Sequence, residues 1–291
     1  IYSILQQTFN DIEFIIINDG STDNSLEIIK SYNDERIIII NQENQGIAVS
    51  LNNGIKISQG KYIARMDADD ISHNTRIKTQ ADFLNDNPDV IDVGSNADVI
   101  DQDSKFGYRA KQSLDNKGLK KKLPFKTPFI HPSVMMRKKT LTNIGLYPDI
   151  PIAQDIFLFN RLSNLGDYAN IKKPLIKYRL TPSASTRRSA ETQNALVSIL
   201  KEYLNNNKIN KNQIKLLKKS IGKFSKNDKY FQYHILLAKK YLWNNYQPKL
   251  ARVHIKHGFQ HKTVSAFLIG LFVLSFLPEK SIVLIYKFFK K

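Results

Sequence analysis

The sequence predicts an α/β domain, with a mostly parallel sheet flanked by helices, followed by an α-helical C-terminal region. Three observations predict it. Short β-branched apolar runs alternate with helix-spaced segments over the first part of the chain. Acidic residues stand at the C-terminal ends of two of those runs, where open α/β sheets bind their ligands. The charge also changes character part-way. Residues 1–185 carry 23 Lys and Arg against 22 Asp and Glu, a balance of +1. Residues 186–291 carry 21 against 4, or +17, so nearly all of the net +18 lies there. The first stretch has the balance of an ordinary enzyme domain; the second is a basic module whose field favours an anionic partner.

Each element follows from local pattern. Ile12 to Asn18 (IEFIIIN) is an apolar run of strand length, stopped by Asp19-Gly20-Ser21. A helix then starts in STDNSLEIIKSY, with Ser21, Thr22 or Asp23 as cap candidates. Arg36 to Ile40 is the second strand. Ile47, Leu51 and Ile55 recur at four-residue spacing within Gly46 to Gly60, which makes a helix ending on glycine. Lys61 to Met66 is the third strand, Asn74 to Asn87 a helix closed by Pro88, and Val90 to Gly94 a strand. Alternation of this kind, with brief loops, means a parallel sheet covered on both faces. His131 to Tyr147 reads as strand then helix, Ile152 to Gly166 as a helix with Asp155 in its first turn, and Leu175 to Leu180 as a strand. From Glu191 to about His261 helical periodicity dominates. Val264 to Leu277 is an uncharged apolar run of 14 residues, broken by Pro278-Glu279-Lys280 before SIVLIYKFFKK. A bilayer span needs about 20 residues. These two pieces therefore fit an interfacial or re-entrant hairpin, or a buried C-terminal helix.

The stretch KYIARMDADD (Lys61 to Asp70) concentrates the chemistry. Three carboxylates at one strand end repel one another and raise each other's pKa unless a cation neutralises them. Mg²⁺ or Mn²⁺ bridging to phosphate does this well, since hard cations take oxygen donors. A polar turn is the simpler alternative for a lone D-x-D. An EF-hand is excluded, because the loop read from Asp67 puts Ile71, Ser72 and Lys78 where Asp or Asn, Gly and Glu are needed. The second D-x-D, Asp101-Gln102-Asp103, fits turn chemistry. The absence of cysteine excludes disulfides and thiolate metal sites and suits a reducing compartment. The first residues, IYSILQQTF, read as the tail of a helix already under way.

In order, IIINDGSTDNS, NQGIAVSLNNGI, YIARMDADD, HPSVMMRK and QD before apolar residues resemble glycosyltransferase family 2, of the inverting GT-A fold, from Ile1 to about Ser185. The resemblance implies a GT-A domain over 1–185 and leaves 186–291 as a basic helical region. It implies a nucleotide-diphosphosugar donor, with a UDP-sugar expected, and a divalent metal, Mg²⁺ or Mn²⁺. By matching positions, Asp19 contacts the base and Asp67 the ribose, with Gly46 counted among the donor contacts. Asp69 binds metal and diphosphate, and Asp155 is the general base. Two positions depart from the pattern: Gln154 stands where the family has Glu, and Asn18 where it has a first acid. His131 is expected near acceptor or diphosphate, or in a structural role; Arg65 and Arg76 are expected to pair with the acid cluster. Asp70 is expected outside the donor pair, as a supporting or helix-capping acid. The family's first strand and loop precede the helix on which this chain opens, so the sequence reads as N-terminally truncated, with weak donor binding expected. The expected acceptor is a glycan or lipid-linked hydroxyl, in bacterial surface polysaccharide synthesis. The expected location is cytoplasmic and peripheral on the inner face of the plasma membrane, against anionic lipid. Two other classes compete. A dinucleotide-binding Rossmann protein would want G-x-G-x-x-G after the first strand, which Asp19-Gly20-Ser21-Thr22 does not supply. A nucleic-acid-binding module in the basic third would show a recognisable motif, and none is present; no nucleic acid partner is expected.

Overall fold

A computed structural model describes residues 1–123, 125–182, 190–206, 208–221, 225–243, 246–261 and 266–289. The chain runs α1 (Tyr2–Leu5), β1 (Phe14–Asp19), α2 (Ser25–Lys30), β2 (Ile37–Gln42), α3 (Ile47–Ile57), β3 (Tyr62–Ala64), β4 (Ile71–Ser72) and α4 (Arg76–Asp86). It continues as β5 (Val90–Ile100), β6 (Phe106–Ala110), α5 (Asn116–Lys120), β7 (Met135–Arg137), α6 (Lys138–Asn143), α7 (Gln154–Leu162) and β8 (Asp167–Arg179). Helices follow to the end: α8 (Ala190–Asn206), α9 (Lys211–Ile221), α10 (Lys226–Trp243), α11 (Pro248–His261), α12 (Ala266–Leu274) and α13 (Glu279–Phe289).

The α/β class and the helical C-terminal region are as the sequence predicts. The strand partners add what periodicity does not carry. β1 and β2 pair in parallel, which sets Asn18 beside Asn41 and Asp19 beside Gln42. The second sheet has the order β3-β7-β5-β8-β4. There β3 pairs β7, β7 pairs β5, and β4 pairs β8, all antiparallel. Local β-α-β alternation implies parallel neighbours, but β3 takes a partner some 70 positions away, and alternation says nothing about that choice. Helix α2 begins later than expected: Asn24 is its N-cap, and Asp23 accepts from the Ser25 amide instead.

The chain divides into two compact units. The first comprises Ile1–Ala97, Lys111–Lys177 and Arg188–Ser220; the second comprises Asp98–Ala110, Tyr178–Arg187 and Ile221–Lys291. The boundary expected after Ser185 lies outside the described residues. By contact, α8 and α9 go with the first unit, and the end of β5 with β6 goes with the second. The first unit's core packs α3, β5, β7 and α7 through Ile55, Ile91, Met136, Leu158 and Phe159. The second packs β6 against α10 to α13 through Tyr108, Leu237, Ile255, Leu268 and Ile282.

Of the apolar stretch expected from Val264, the first two residues lie outside the described residues. In the rest, Leu268, Leu271 and Ser275 face inward. Phe267, Ile269, Val273 and Phe276 are about half exposed or more, and Leu284 of α13 is 71% exposed. Among the described residues no helix is long and apolar enough to cross a membrane.

Candidate active site

The site is assembled at strand ends of the first unit. At the end of β1, Asn18 donates to Asn41 across the parallel pair at 2.6 Å. Asp19 accepts from the Gln42 side chain at 2.8 Å and from the Gln45 and Gly46 amides at 2.8 and 2.9 Å. Burial opposes its charge, but the donors Gln45, Gln42, Ser50 and Gly46 outweigh that and hold the carboxyl below its usual range. Gly46 has φ +87°, a left-handed conformation that suits glycine and turns its amide toward Asp19. Gly20 has φ +71°, and a Cβ there would meet the Asn44 amide nitrogen at 2.7 Å. The Asp19 carboxylate thus ties β1 to the start of α3, a structural task beside the donor contact expected of it.

After β3 the chain delivers the acid cluster. Asp67, Asp69 and Asp70 each offer an oxygen, and these atoms lie within 4.8 Å of one another. Asp69 is exposed, Asp67 half-buried and Asp70 buried. Asp70 is not a helix cap, because β4 follows it and α4 starts at Arg76 with Thr75 as N-cap. It stands with the other two acids. Arg65, almost fully buried, grips both Asp67 oxygens at 2.9 and 2.5 Å. This is the fork-on-carboxylate geometry that fixes orientation. Both residues lie beyond the end of β3, in the loop that carries the acids.

Arg76 feels the charge of Asp70, and its hydrogen bonds go to other groups. It is fully buried and donates to the carbonyls of Arg65 and Val134 at 2.7 and 3.2 Å and to Gln80 at 2.9 Å. Burial lowers its pKa to about 10; the Asp70 charge acts the other way, and Arg65 adds to the lowering. Its guanidinium therefore braces the backbone beneath the acid cluster.

Behind this cluster stands a buried pair. His131 Nε2 and the Tyr147 hydroxyl are 2.9 Å apart, and Asn52 of α3 clamps the Tyr147 main chain with two bonds of 2.8 and 3.0 Å. Burial and then the Arg65 charge hold His131 far below the usual imidazole range, so it is neutral. The ring is occupied within the protein, which is the structural role among those expected. The Tyr147 hydroxyl lies within electrostatic range of Arg65, Asp155, Asp92 and Asp67. Tyr147 thus feels the charges of both Asp155 and Asp67, and neither motif predicts it. Asp155 sits in the first turn of α7, where it accepts from the Ile156 amide at 2.9 Å. A carboxylate is favoured there by the helix dipole.

A cleft of about 1260 Å³ opens beside these groups, lined by Asn18, Ser21, Arg65, Asp67, Asp70 and Tyr147 and by the apolar edges of β1 and β3. The donor set at its end is oxygen only, which fits Mg²⁺ or Mn²⁺. The other D-x-D is a turn, as expected: Asp101 accepts from the amides of Asp103 and Lys105 at 3.0 and 2.8 Å.

The glycosyl transferase family 2 profile matches residues 1–145. EpsE of Bacillus subtilis, a glycosyltransferase by name, is 34% identical over 197 residues, 65% of this chain and 70% of that one. The chain belongs to glycosyltransferase family 2. A Haemophilus influenzae relative, described as an uncharacterized glycosyltransferase, is 35% identical over 193 residues. That match spans 62% of this chain and 60% of the relative's length. Among solved structures, Staphylococcus aureus TarS residues 1–349 with UDP-GlcNAc aligns with TM-score 0.52 at 14% identity, covering 94% of this chain and 74% of TarS. The UDP complex aligns at 0.53 and 15%, covering 98% and 86%. At such identities the likeness is one of fold, and it places this family 2 chain in the GT-A class.

Proposed function

We propose that the chain transfers a sugar from a nucleoside diphosphate donor, UDP-linked, to a hydroxyl of a glycan or lipid-linked acceptor in surface polysaccharide synthesis, with inversion. The observation that carries this reading is the convergence of Asp67, Asp69 and Asp70, whose oxygens lie within 4.8 Å of one another, with Asp67 and Asp70 on the wall of the cleft. Asp19 and Gly46 take the base side of the donor and Asp67, oriented by Arg65, the ribose. Asp69 would hold Mg²⁺ or Mn²⁺ with its two acidic neighbours, and the ion would stabilise charge on the departing diphosphate. TarS is a protein of this fold with UDP-GlcNAc and with UDP bound, which supports the choice of UDP.

The remaining chemistry belongs to the chain. A hydroxyl is a poor nucleophile until a positioned base removes its proton, and Asp155 takes that proton. Attack from the face opposite the leaving group inverts the anomeric carbon with no covalent enzyme intermediate. Screening UDP-sugars by UDP release tests the reading, on the chain 1–291 and on one extended before Ile1. The Asp155→Asn variant is expected to lose roughly 10²- to 10⁴-fold in turnover while still binding UDP. Wild-type turnover in that variant would remove Asp155 from the mechanism.

The basic unit meets the membrane surface in the same reading. Phe267, Ile269, Val273 and Phe276 are exposed beside cations: Lys239 lies 4.5 Å over the Phe267 ring and Arg252 4.5 Å over Phe276. Apolar side chains with a cationic rim suit anionic lipid. Flotation with phosphatidylserine vesicles, and its loss in Phe267→Ser/Phe276→Ser, checks this; equal flotation of the variant would refute it.

A further inference from the structure

The second unit gathers four of the chain's six histidines on one patch of α10 and α11. His254, His257 and His261 stand at i, i+3 and i+7 on α11, a spacing that aligns side chains along one helix face. His234 of α10 faces them, with ring centroids 5.2, 4.9 and 5.9 Å from those of His254, His257 and His261. The Nδ1 atoms of His234 and His254 are only 2.9 Å apart. A neutral imidazole has one N–H and one lone pair, so at this contact one ring donates and the other accepts. His257 Nδ1 lies 3.1 Å from the Gln260 side-chain oxygen, which can only accept. The ring gives up this exposed contact when it turns toward His234 and His254.

The geometry points to a transition-metal site in which His234, His254 and His257 bind one borderline divalent cation of the Zn²⁺ class, tying α10 to α11. Imidazole nitrogen suits Zn²⁺, Ni²⁺ and Cu²⁺, whereas Mg²⁺ and Mn²⁺ prefer the oxygen donors of the acid cluster. Donor nitrogens around tetrahedral Zn²⁺ stand about 3.3 Å apart, given Zn–N bonds of about 2.0 Å. The 2.9 Å contact therefore has to open by only a few tenths of an ångström as the ion replaces the shared proton. Among the described residues, Asp67, Asp69 and Asp70 alone bring three donor atoms within 4.8 Å. The third imidazole nitrogen enters by rotation of His257, an exposed side chain that also leaves the ion a path from solvent. His234 is 9% exposed and supplies the fixed side of the site. Asp101, whose charge reaches His254, offsets part of the unit's cationic field.

The test is a Zn²⁺ titration of the tag-free, chelator-stripped chain against a chromophoric competitor, with Co²⁺ absorption as a report on the ligands. One Zn²⁺ is expected to bind in the presence of excess Mg²⁺, and Co²⁺ to give the intense visible bands of a low-coordinate nitrogen site. His257→Ala, at an exposed position, should weaken Zn²⁺ at least tenfold; His254→Gln should do the same, with circular dichroism confirming its helices. Asp69→Asn should leave Zn²⁺ affinity unchanged. Equal Zn²⁺ affinity in His257→Ala and wild type overturns the proposal, as does loss of Zn²⁺ in Asp69→Asn or no binding at micromolar Zn²⁺.

Discussion

Two D-x-D motifs occur in this chain, and they end in opposite states. At Asp67 and Asp69 the carboxylates stand together with Asp70, one gripped by Arg65, with oxygens within 4.8 Å of one another. At Asp101 and Asp103 the first carboxylate is taken up by two backbone amides that close the β5–β6 turn. The same three-letter pattern thus yields a cluster of three converging carboxylates in one place and a turn in the other. What separates them is their partners: the buried Arg65 guanidinium at the first, and the chain's own amides at the second. Asp92 is a third case, fully buried on β5 with neither oxygen hydrogen-bonded.

The widest gap is expected in turnover. Asp69→Asn should lower UDP release by roughly 10²-fold or more, about 3 kcal/mol in barrier, with little change in thermal midpoint. Asp101→Asn should leave UDP release at the wild-type rate. If both variants lose activity alike, the contrast between the motifs fails.

Asp92 should show in stability against pH. Burial raises its pKa to about 8, against 3.8 for an exposed carboxyl. Between those values the unfolded chain sheds the proton that the folded chain keeps, so stability falls as pH rises through that window and the loss is complete above pH 8. Asp92→Asn removes this dependence, and is expected to gain a few kcal/mol relative to wild type between pH 5 and pH 8 in denaturant midpoints. An identical pH slope for the two proteins would show that Asp92 is ionised when folded.

The smallest effect lies in the turn itself. Asp101→Ala removes the carboxylate oxygen that accepts from two amides and should cost about 1 kcal/mol, read as a lower urea midpoint with unchanged slope. A loss of several kcal/mol would mean that Asp101 has a task beyond the turn.

Much of this was legible in the residues. The acids after β1 and β3, the Asp101 turn, the Asp155 helix start and the order of elements follow from apolar runs, glycines and caps, because those signals act within a few residues. The start of α2 shifted because Asp23 accepts from the Ser25 amide while Asn24 takes the cap position. Between the supporting and the helix-capping role for Asp70 the pattern DADD does not choose, because it does not say where the next helix begins. Tyr147 left no sequence signal: its place depends on Asn52 and His131, 95 and 16 positions away.

By itself, then, the sequence determined the α/β class, the family, the helical basic third and the residue types able to hold a donor and a cation. Each rests on short-range periodicity or on composition. Tertiary structure alone decided that β3 pairs with β7, that Arg76 braces the backbone of Arg65 and Val134, and that four histidines share one patch. Those outcomes depend on which distant segments pack together, and packing is governed by shape and burial that no local spacing encodes.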